Sequence, residues 1–166
     1  MPRPAPSDFR FRDARPEDAA VLHALLGELA AYEGSPQHLR STPGQLQAAL
    51  AQGLFHALLV EGPRGVEGFA TYTFDFMSWF GTQVLRLDDL FLRTPLRGLG
   101  LGGRVMRELA RRALERGIVM RWEMQPDNAS ARAFYEKLGA SGGERTVWRW
   151  FPEAMQQYVQ SAAPRG

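Results

Sequence analysis

The run Arg97-Gly98-Leu99-Gly100-Leu101-Gly102-Gly103 sets small residues between apolar ones directly before a strongly periodic helical segment. Glycine lets a backbone approach a ligand closely and adopt turns closed to other residues. The helix that follows presents N–H groups without intrahelical partners, and the positive end of its dipole, to whatever lies in front of it. Together these make a phosphate cradle. Metal chemistry finds no comparable support. The chain has no cysteine, and His23, His38 and His56 show no ligand spacing. His23 on a helix and His56 at a strand start read as packing or surface residues, and no metal is expected.

The elements that would position the run follow from periodicity. Residues 9–12 form a short strand. A helix starts at Pro16, with Glu17 and Asp18 at its positive end, a stripe of Val21, Leu22, Leu25, Leu29 and Tyr32, and a stop at Gly34. Thr42-Pro43 with Gln45 is a capping-box pattern for a second helix ending by Gly53. The period then changes to that of strands. His56–Glu61 and Val66–Phe74 flank the turn Gly62-Pro63-Arg64-Gly65, and Val84–Leu92 follows. The glycine run opens a helix over 102–116. Val119–Met124 is a strand, Ala129–Leu138 a helix, Thr146–Phe151 a last strand, and 152–159 a short amphipathic segment. The order is β-α-α-β-β-β-α-β-α-β, antiparallel hairpins followed by one parallel crossover.

At 166 residues, 45% hydrophobic and 23% charged, the chain reads as one domain (1–166, core about 9–159) able to bury a core. Met1–Arg10 has no apolar stretch of the kind that directs export, and no run reaches the roughly 20 apolar residues of a membrane helix. With no cysteine, a cytoplasmic protein is expected. Net charge is +2, and Lys137 is the single lysine. Eight arginines fall between Arg93 and Arg121. Arg104, Arg107, Arg111 and Arg112 share a helix with Glu108 and Glu115, the pattern of a solvated, ion-paired face rather than a nucleic-acid surface.

Two patterns fit the run. Gly98-x-Gly100-x-x-Gly103 matches the dinucleotide fingerprint, and Glu123 lies about 20 residues on, where a ribose-binding carboxylate belongs. That fold needs the motif in its first βα turn and two βαβαβ halves, whereas here helices and hairpins precede it and a single βαβ unit follows. An NAD-dependent oxidoreductase is therefore the weaker alternative. A P-loop is ruled out, because no Gly-Lys-Ser/Thr triplet is present. The second pattern is Arg/Gln-x-x-Gly-x-Gly/Ala, present as Arg97 to Gly102. It is accompanied by Leu29-Ala30-Ala31-Tyr32-Glu33, Trp79-Phe80-Gly81, Leu87-Asp88-Asp89-Leu90-Phe91-Leu92, Asn128, Phe134-Tyr135-Glu136-Lys137-Leu138-Gly139-Ala140 and Trp148-Arg149. With these pieces in this order, from about Phe9 to Tyr158, the chain resembles the GCN5-related N-acetyltransferase (GNAT) superfamily. Within it, the chain is similar to the diamine (spermidine/spermine) and thialysine acetyltransferase branch.

The resemblance implies an α/β fold, the GNAT acyl-CoA N-acyltransferase fold, with a mixed central sheet flanked by helices. It implies acetyl transfer from acetyl-CoA to a primary amine in a ternary complex, and a homodimer packed or swapped through Trp148-Arg149-Trp150-Phe151. The cosubstrate's pyrophosphate would lie on Arg97, Gly98, Leu99, Gly100, Leu101, Gly102 and Gly103. Its pantetheine arm would pair with Leu90, Phe91 and Leu92, where family members splay two strands apart. Asn128, Ala129, Ser130 and Ala131 would touch the remainder. An alkylammonium has a pKa near 10.4, so about one molecule in 10³ is nucleophilic at neutral pH and a proton acceptor is needed. By position Asp88 takes that role, and Tyr135 that of the acid protonating the departing thiolate. Strand alternation predicts that Asp88 and Asp89 face opposite sides. Tyr32, Glu33, Trp79, Asp88, Asp89 and Glu123 form the expected acceptor set. The branch's acidic residues correspond to Met77 and Thr146 here, which favours a small amine over a tri- or tetracation. A protein that binds CoA without catalysis is the alternative from another class.

Overall fold

The computed structural model describes residues 4–143 and 149–161. Two compact units divide at Glu123 and Met124. The first contains a five-stranded sheet in sequential order, with β1 (Arg10–Asp13), β2 (His56–Gly62), β3 (Gly65–Met77), β4 (Thr82–Leu92) and β5 (Val119–Trp122). The first four strands pair antiparallel, and β5 joins β4 in parallel after a helical crossover. Its helices are α1 (Ala19–Tyr32), α2 (Pro43–Ala51) and α3 (Leu101–Glu115). The second unit carries α4 (Ala129–Lys137) and α5 (Pro152–Ser161). The α/β fold and mixed sheet are those expected. A sequential order with one parallel pair is not a doubly wound dinucleotide fold, which excludes the NAD reading.

Local chemistry sets the element ends. Thr42 and Gln45 close the capping box of α2 in both directions, at 3.3 and 2.9 Å, with Pro43 at its first position. Before α1, the Asp18 carboxylate accepts from both terminal nitrogens of Arg12, at 2.7 and 2.8 Å, and from the Arg15 amide at 2.8 Å. These bonds tie β1 to the helix and hold the Asp18 carboxyl below its usual range. Pro63 and Arg64 make the β2–β3 turn, with Gly62 paired to Gly65.

Each sheet face buries one helical layer. Leu22 and Leu25 of α1 pack with Ala57, Leu59, Phe69 and Phe91. The alternate residues Leu58, Val60, Ala70, Leu85 and Leu87 are buried on the opposite face, and α3 contributes Leu101, Val105, Met106, Leu109 and Ala113 to the core. Two of the arginines of α3, Arg104 and Arg112, are less solvated than their pattern suggests, whereas Arg107 and Arg111 are exposed. Arg111 pairs with Glu108 and Glu115 on the helix surface. Arg112, however, reaches Asp13 and donates to the Tyr72 hydroxyl at 2.6 Å, and Arg104 donates to the Pro6 and Phe9 carbonyls. A long stem lets these heads tie the helix to the sheet while their positions read as surface.

Several boundaries differ from expectation, and β3 runs on to Met77, three residues past Phe74. Strand β1 starts one residue later, leaving Phe9 buried ahead of it. Strand β5 stops at Trp122, two residues early. Of the expected last strand, Thr146–Trp148 lie outside the described residues, and Arg149–Phe151 are irregular, leading into α5. Gly68 tests the β3–β4 packing: a Cβ there would stand 2.8 Å from the Phe91 carbonyl oxygen and 2.6 Å from Leu92 Cδ2. We expect Gly68→Ala to lose about 1–3 kcal/mol in urea unfolding. Gly44→Ala, in α2 with open space around it, should gain about 0.5 kcal/mol.

Candidate active site

The site begins where β4 loses a neighbour. Pairing with β5 runs from Val84–Val119 to Leu87–Trp122 and stops. From Asp88 to Leu92, β4 pairs with β3 alone among the described residues. Each peptide group of this stretch therefore presents either its N–H or its C=O, in alternation, toward the side that β5 has left. An extended amide-bearing ligand can lie there as an added strand.

A bulge falls at the same point. Thr71 pairs with Asp89 and Tyr72 with Leu87, so Asp88 is an extra residue in β4. This corrects the alternation expected for the two acids. Arg86 lies opposite Thr73, and its NH1 is 3.0 Å from Asp88 Oδ1. Asp89 lies opposite Thr71 and accepts from its hydroxyl at 2.9 Å. Thr71 and Thr73 share one face, and the inserted residue brings Asp88 and Asp89 onto it together. Burial pushes the Asp88 carboxyl up; Arg86 opposes this, and Asp89, Asp75 and Glu123 reinforce it. Its side chain keeps 33% exposure, so it remains within reach of a ligand.

Beyond Leu92 the chain makes a 3₁₀ turn, Thr94–Leu96, pinned by the fully buried Leu96. Gly98 and Gly100 then take φ of 78° and 73°, left-handed values that glycine adopts without strain. Gly100 immediately precedes α3, whose first internal bond runs from the Arg104 amide to the Gly100 carbonyl at 3.2 Å. The amides of Leu101, Gly102 and Gly103 precede that bond and receive no side-chain cap. A Cβ at Gly100 or Gly103 would meet nothing within 4 Å, so the approach to these amides is open. Buried Leu101 fixes the first turn from beneath. The arrangement fits a diphosphate on the helix end and an extended arm along Leu90–Leu92. Arg97 lies beside it, with its guanidinium 4.2 Å above the Tyr32 ring and its Nε directed to the Leu92 carbonyl at 3.4 Å.

Tyr32 belongs to a cleft of about 380 Å³ lined by Glu28, Phe91, Arg93, Thr94 and Pro95. Arg93 and Glu28 are paired across the cleft at 2.5 Å, which lowers the Glu28 carboxyl. Glu33 follows Tyr32 as an exposed residue at the end of α1. Trp79 is not with them. It is 94% exposed in the β3–β4 turn, about 30 Å from Phe91 along β4 at ~3.3 Å per residue. Glu123 follows β5 and is 3.5 Å from Arg121, the residue that pairs with Arg86.

In the second unit, Asn128 Oδ1 accepts from the Ala131 amide at 3.0 Å and caps α4. That bond uses the Ala131 N–H, and the Ala129 amide donates to the Asp127 carbonyl at 2.9 Å, which leaves the Asn128 side-chain nitrogen and the Ser130 amide at the helix start. Tyr135 and Phe134 are both half-buried, with ring centroids 5.2 Å apart. Burial raises the Tyr135 phenol, keeping it protonated at neutral pH. Arg86 and Asp75 were not anticipated as site residues. Strand period could have found Arg86, two residues before Asp88, whereas Asp75 required the hairpin register.

A model described as "Acetyltransferase (GNAT) family" matches residues 22–140. A thialysine N-epsilon-acetyltransferase of Bos taurus is 28% identical over 165 residues, covering 89% of this chain and 95% of that protein. The spermidine/spermine N(1)-acetyltransferase-like protein 1 of Homo sapiens is 32% identical over 118 residues, covering 64% of this chain and 16% of that protein. Among solved structures, a possible acetyltransferase from Clostridium difficile 630 superposes with a TM-score of 0.75 at 18% identity, covering 86% of this chain and 97% of the other. The parted strand, the glycine turn and the extent of the family match lead to one assignment: the chain belongs to the acetyltransferase (GNAT) family.

Proposed function

We propose that the protein transfers the acetyl group of acetyl-CoA to a primary amine of a small molecule by direct attack in a ternary complex. The observation that carries this reading is the parting of β4 from β5 at Leu87, with a bulged carboxylate, Asp88, as the first unpaired residue. Relatives named for thialysine and spermidine/spermine acetylation support an amine acceptor. The family match over residues 22–140 runs through the division at Glu123, which supports reading 1–166 as a single domain.

Bound acetyl-CoA would supply a thioester-activated acetyl group. Gly98–Gly103 would hold its diphosphate through the free amides and dipole of α3, and the open edge at Leu90–Leu92 its pantetheine amides. Asn128, Ala129 and Ser130 would contribute further polar groups. Asp88 would take the proton from the acceptor ammonium, directly or through water, and its raised carboxyl narrows the gap to that far weaker acid. Asp89, held by Thr71, would add negative charge beside it, and Tyr32, Glu33 and Glu123 complete the acceptor side. Tyr135 would give its phenolic proton to the departing thiolate. We further propose a cytoplasmic homodimer acting without nucleic acid or membrane. Exposed Trp150, Phe151, Tyr158 and Val159 favour cover by a second copy, and Arg104, Arg111 and Arg112 of α3 are engaged with acids, carbonyls and rings within the chain. Among the described residues no helix is long and apolar enough to cross a membrane.

Tyr135→Phe should retain acetyl-CoA binding by calorimetry and lose about 10²-fold in kcat; unchanged turnover removes Tyr135 from the reaction, and no turnover of any amine by the native protein favours a binding role alone. Asp88→Asn should lose most activity near neutral pH. In the native protein the carboxyl must ionise before it can accept a proton, so its acid limb is displaced upward, in the direction of the Asp88 shift. The variant lacks that limb and recovers toward about pH 10, where the free amine is abundant. An unshifted pH–rate profile contradicts the role. Gly100→Ala, which forces a side chain into a left-handed turn, should weaken acetyl-CoA about tenfold in the same calorimetric assay.

A further inference from the structure

The acceptor side already holds a cation. Arg86 Nε is 2.6 Å from Asp75 Oδ2 on β3, and its NH1 is 3.0 Å from Asp88 Oδ1 on β4. The guanidinium thus bridges the two strands directly beside the proposed proton acceptor. Thr73, its partner across the ladder, has a buried hydroxyl oxygen with no hydrogen-bond partner among the described residues. A second guanidinium, Arg121, pairs with Arg86 in the parallel register and stands 3.5 Å from Glu123. Four carboxylates, Asp75, Asp88, Asp89 and Glu123, therefore face two fixed positive charges. Arginine does not deprotonate at any working pH, and its planar fork suits simultaneous contact with two acids.

We infer that Arg86 is a specificity-determining residue, a resident counter-ion that selects acceptors of low positive charge and disfavours polycationic amines. The inference rests on the amine-acetyltransferase reading above. An acceptor with one reacting nitrogen needs one carboxylate, and Asp88 has oxygen capacity beyond its contact with Arg86. Each further ammonium must either compete with Arg86 for Asp75 and Asp88 or lie close to a like charge. In this partly exposed setting one such repulsion is worth about a factor of ten in affinity.

The test uses native protein, Arg86→Gln and Arg86→Lys with 1-aminobutane, 1,4-diaminobutane, spermidine and spermine. Both kcat/KM with acetyl-CoA and calorimetric Kd in the presence of CoA are measured. The native protein should favour the smaller charges. Arg86→Gln should raise the spermine-to-aminobutane ratio about tenfold or more in both readouts, and Arg86→Lys should hold it within about threefold of native. A ratio equal in all three proteins, with turnover intact, overturns the role of Arg86 and leaves the acetyltransferase reading standing. Absence of turnover with the same shift in Kd ratio does the reverse. Should the glutamine variant fail to fold by circular dichroism, a native preference for spermine over 1-aminobutane overturns the inference, and the opposite preference supports it.

Discussion

A β-sheet strand normally spends its peptide groups on two neighbours, and β4 does so only as far as Leu87. Beyond that point one edge has no strand partner among the described residues for five residues, and the bulge at Asp88 adds a twist and re-aims the side chains on either side of it. The rest of the site depends on this local failure of pairing. The free edge provides amides for an extended ligand, the re-aimed residues gather Asp88 and Asp89 on one face, and the strand end delivers the chain to the glycine turn. An unbroken β4–β5 ladder would satisfy the same backbone groups internally and leave no place for a cosubstrate arm. Natural sheets protect such edges, so an exposed one beside a helix N-terminus is a feature with a chemical use.

The flanking structure holds this opening in place. Phe69 and Phe91 pair across β3 and β4 inside the α1 core, and Gly68 lets the two strands approach at the end where the free edge lies. On the other face, Arg112 ties α3 to Asp13 and Tyr72, so the helix whose N-terminus forms the cradle is fixed to the sheet near its C-terminal end. The ion pair between Glu28 and Arg93 joins α1 to the segment leaving β4. Charge is thus used mainly for internal fastening, which reconciles eight arginines around the cradle with a net charge of +2.

Much of this was legible in the residues. Glycine spacing located the cradle, because a left-handed turn before a helix leaves few other choices, and Thr42, Pro43 and Gln45 announced α2 through a purely local motif. Hydrophobic periodicity placed the strands of the sheet to within a few residues. What sequence could not show came from register. The bulge depends on how β3 and β4 align, so simple alternation put Asp88 and Asp89 on opposite faces. The engagement of Asp75 by Arg86 needs the same alignment. Arg104 and Arg112 read as surface charges because a helical wheel does not say how far a flexible side chain bends. Trp79 was grouped with Tyr32 by likeness to a family, while the hairpin carries it to the other end of β4.

The central claim is that the free edge of β4 and the first turn of α3 together receive the acyl donor. Hydrogen–deuterium exchange of the backbone amides, with and without acetyl-CoA, addresses it directly. The account predicts slowed exchange confined to two stretches of the first unit, residues 88–92 and 98–103, accompanied by the start of α4. Unchanged exchange at 88–92, or protection centred instead around Asp13, His56 and Arg116 at the other end of α3, would contradict it.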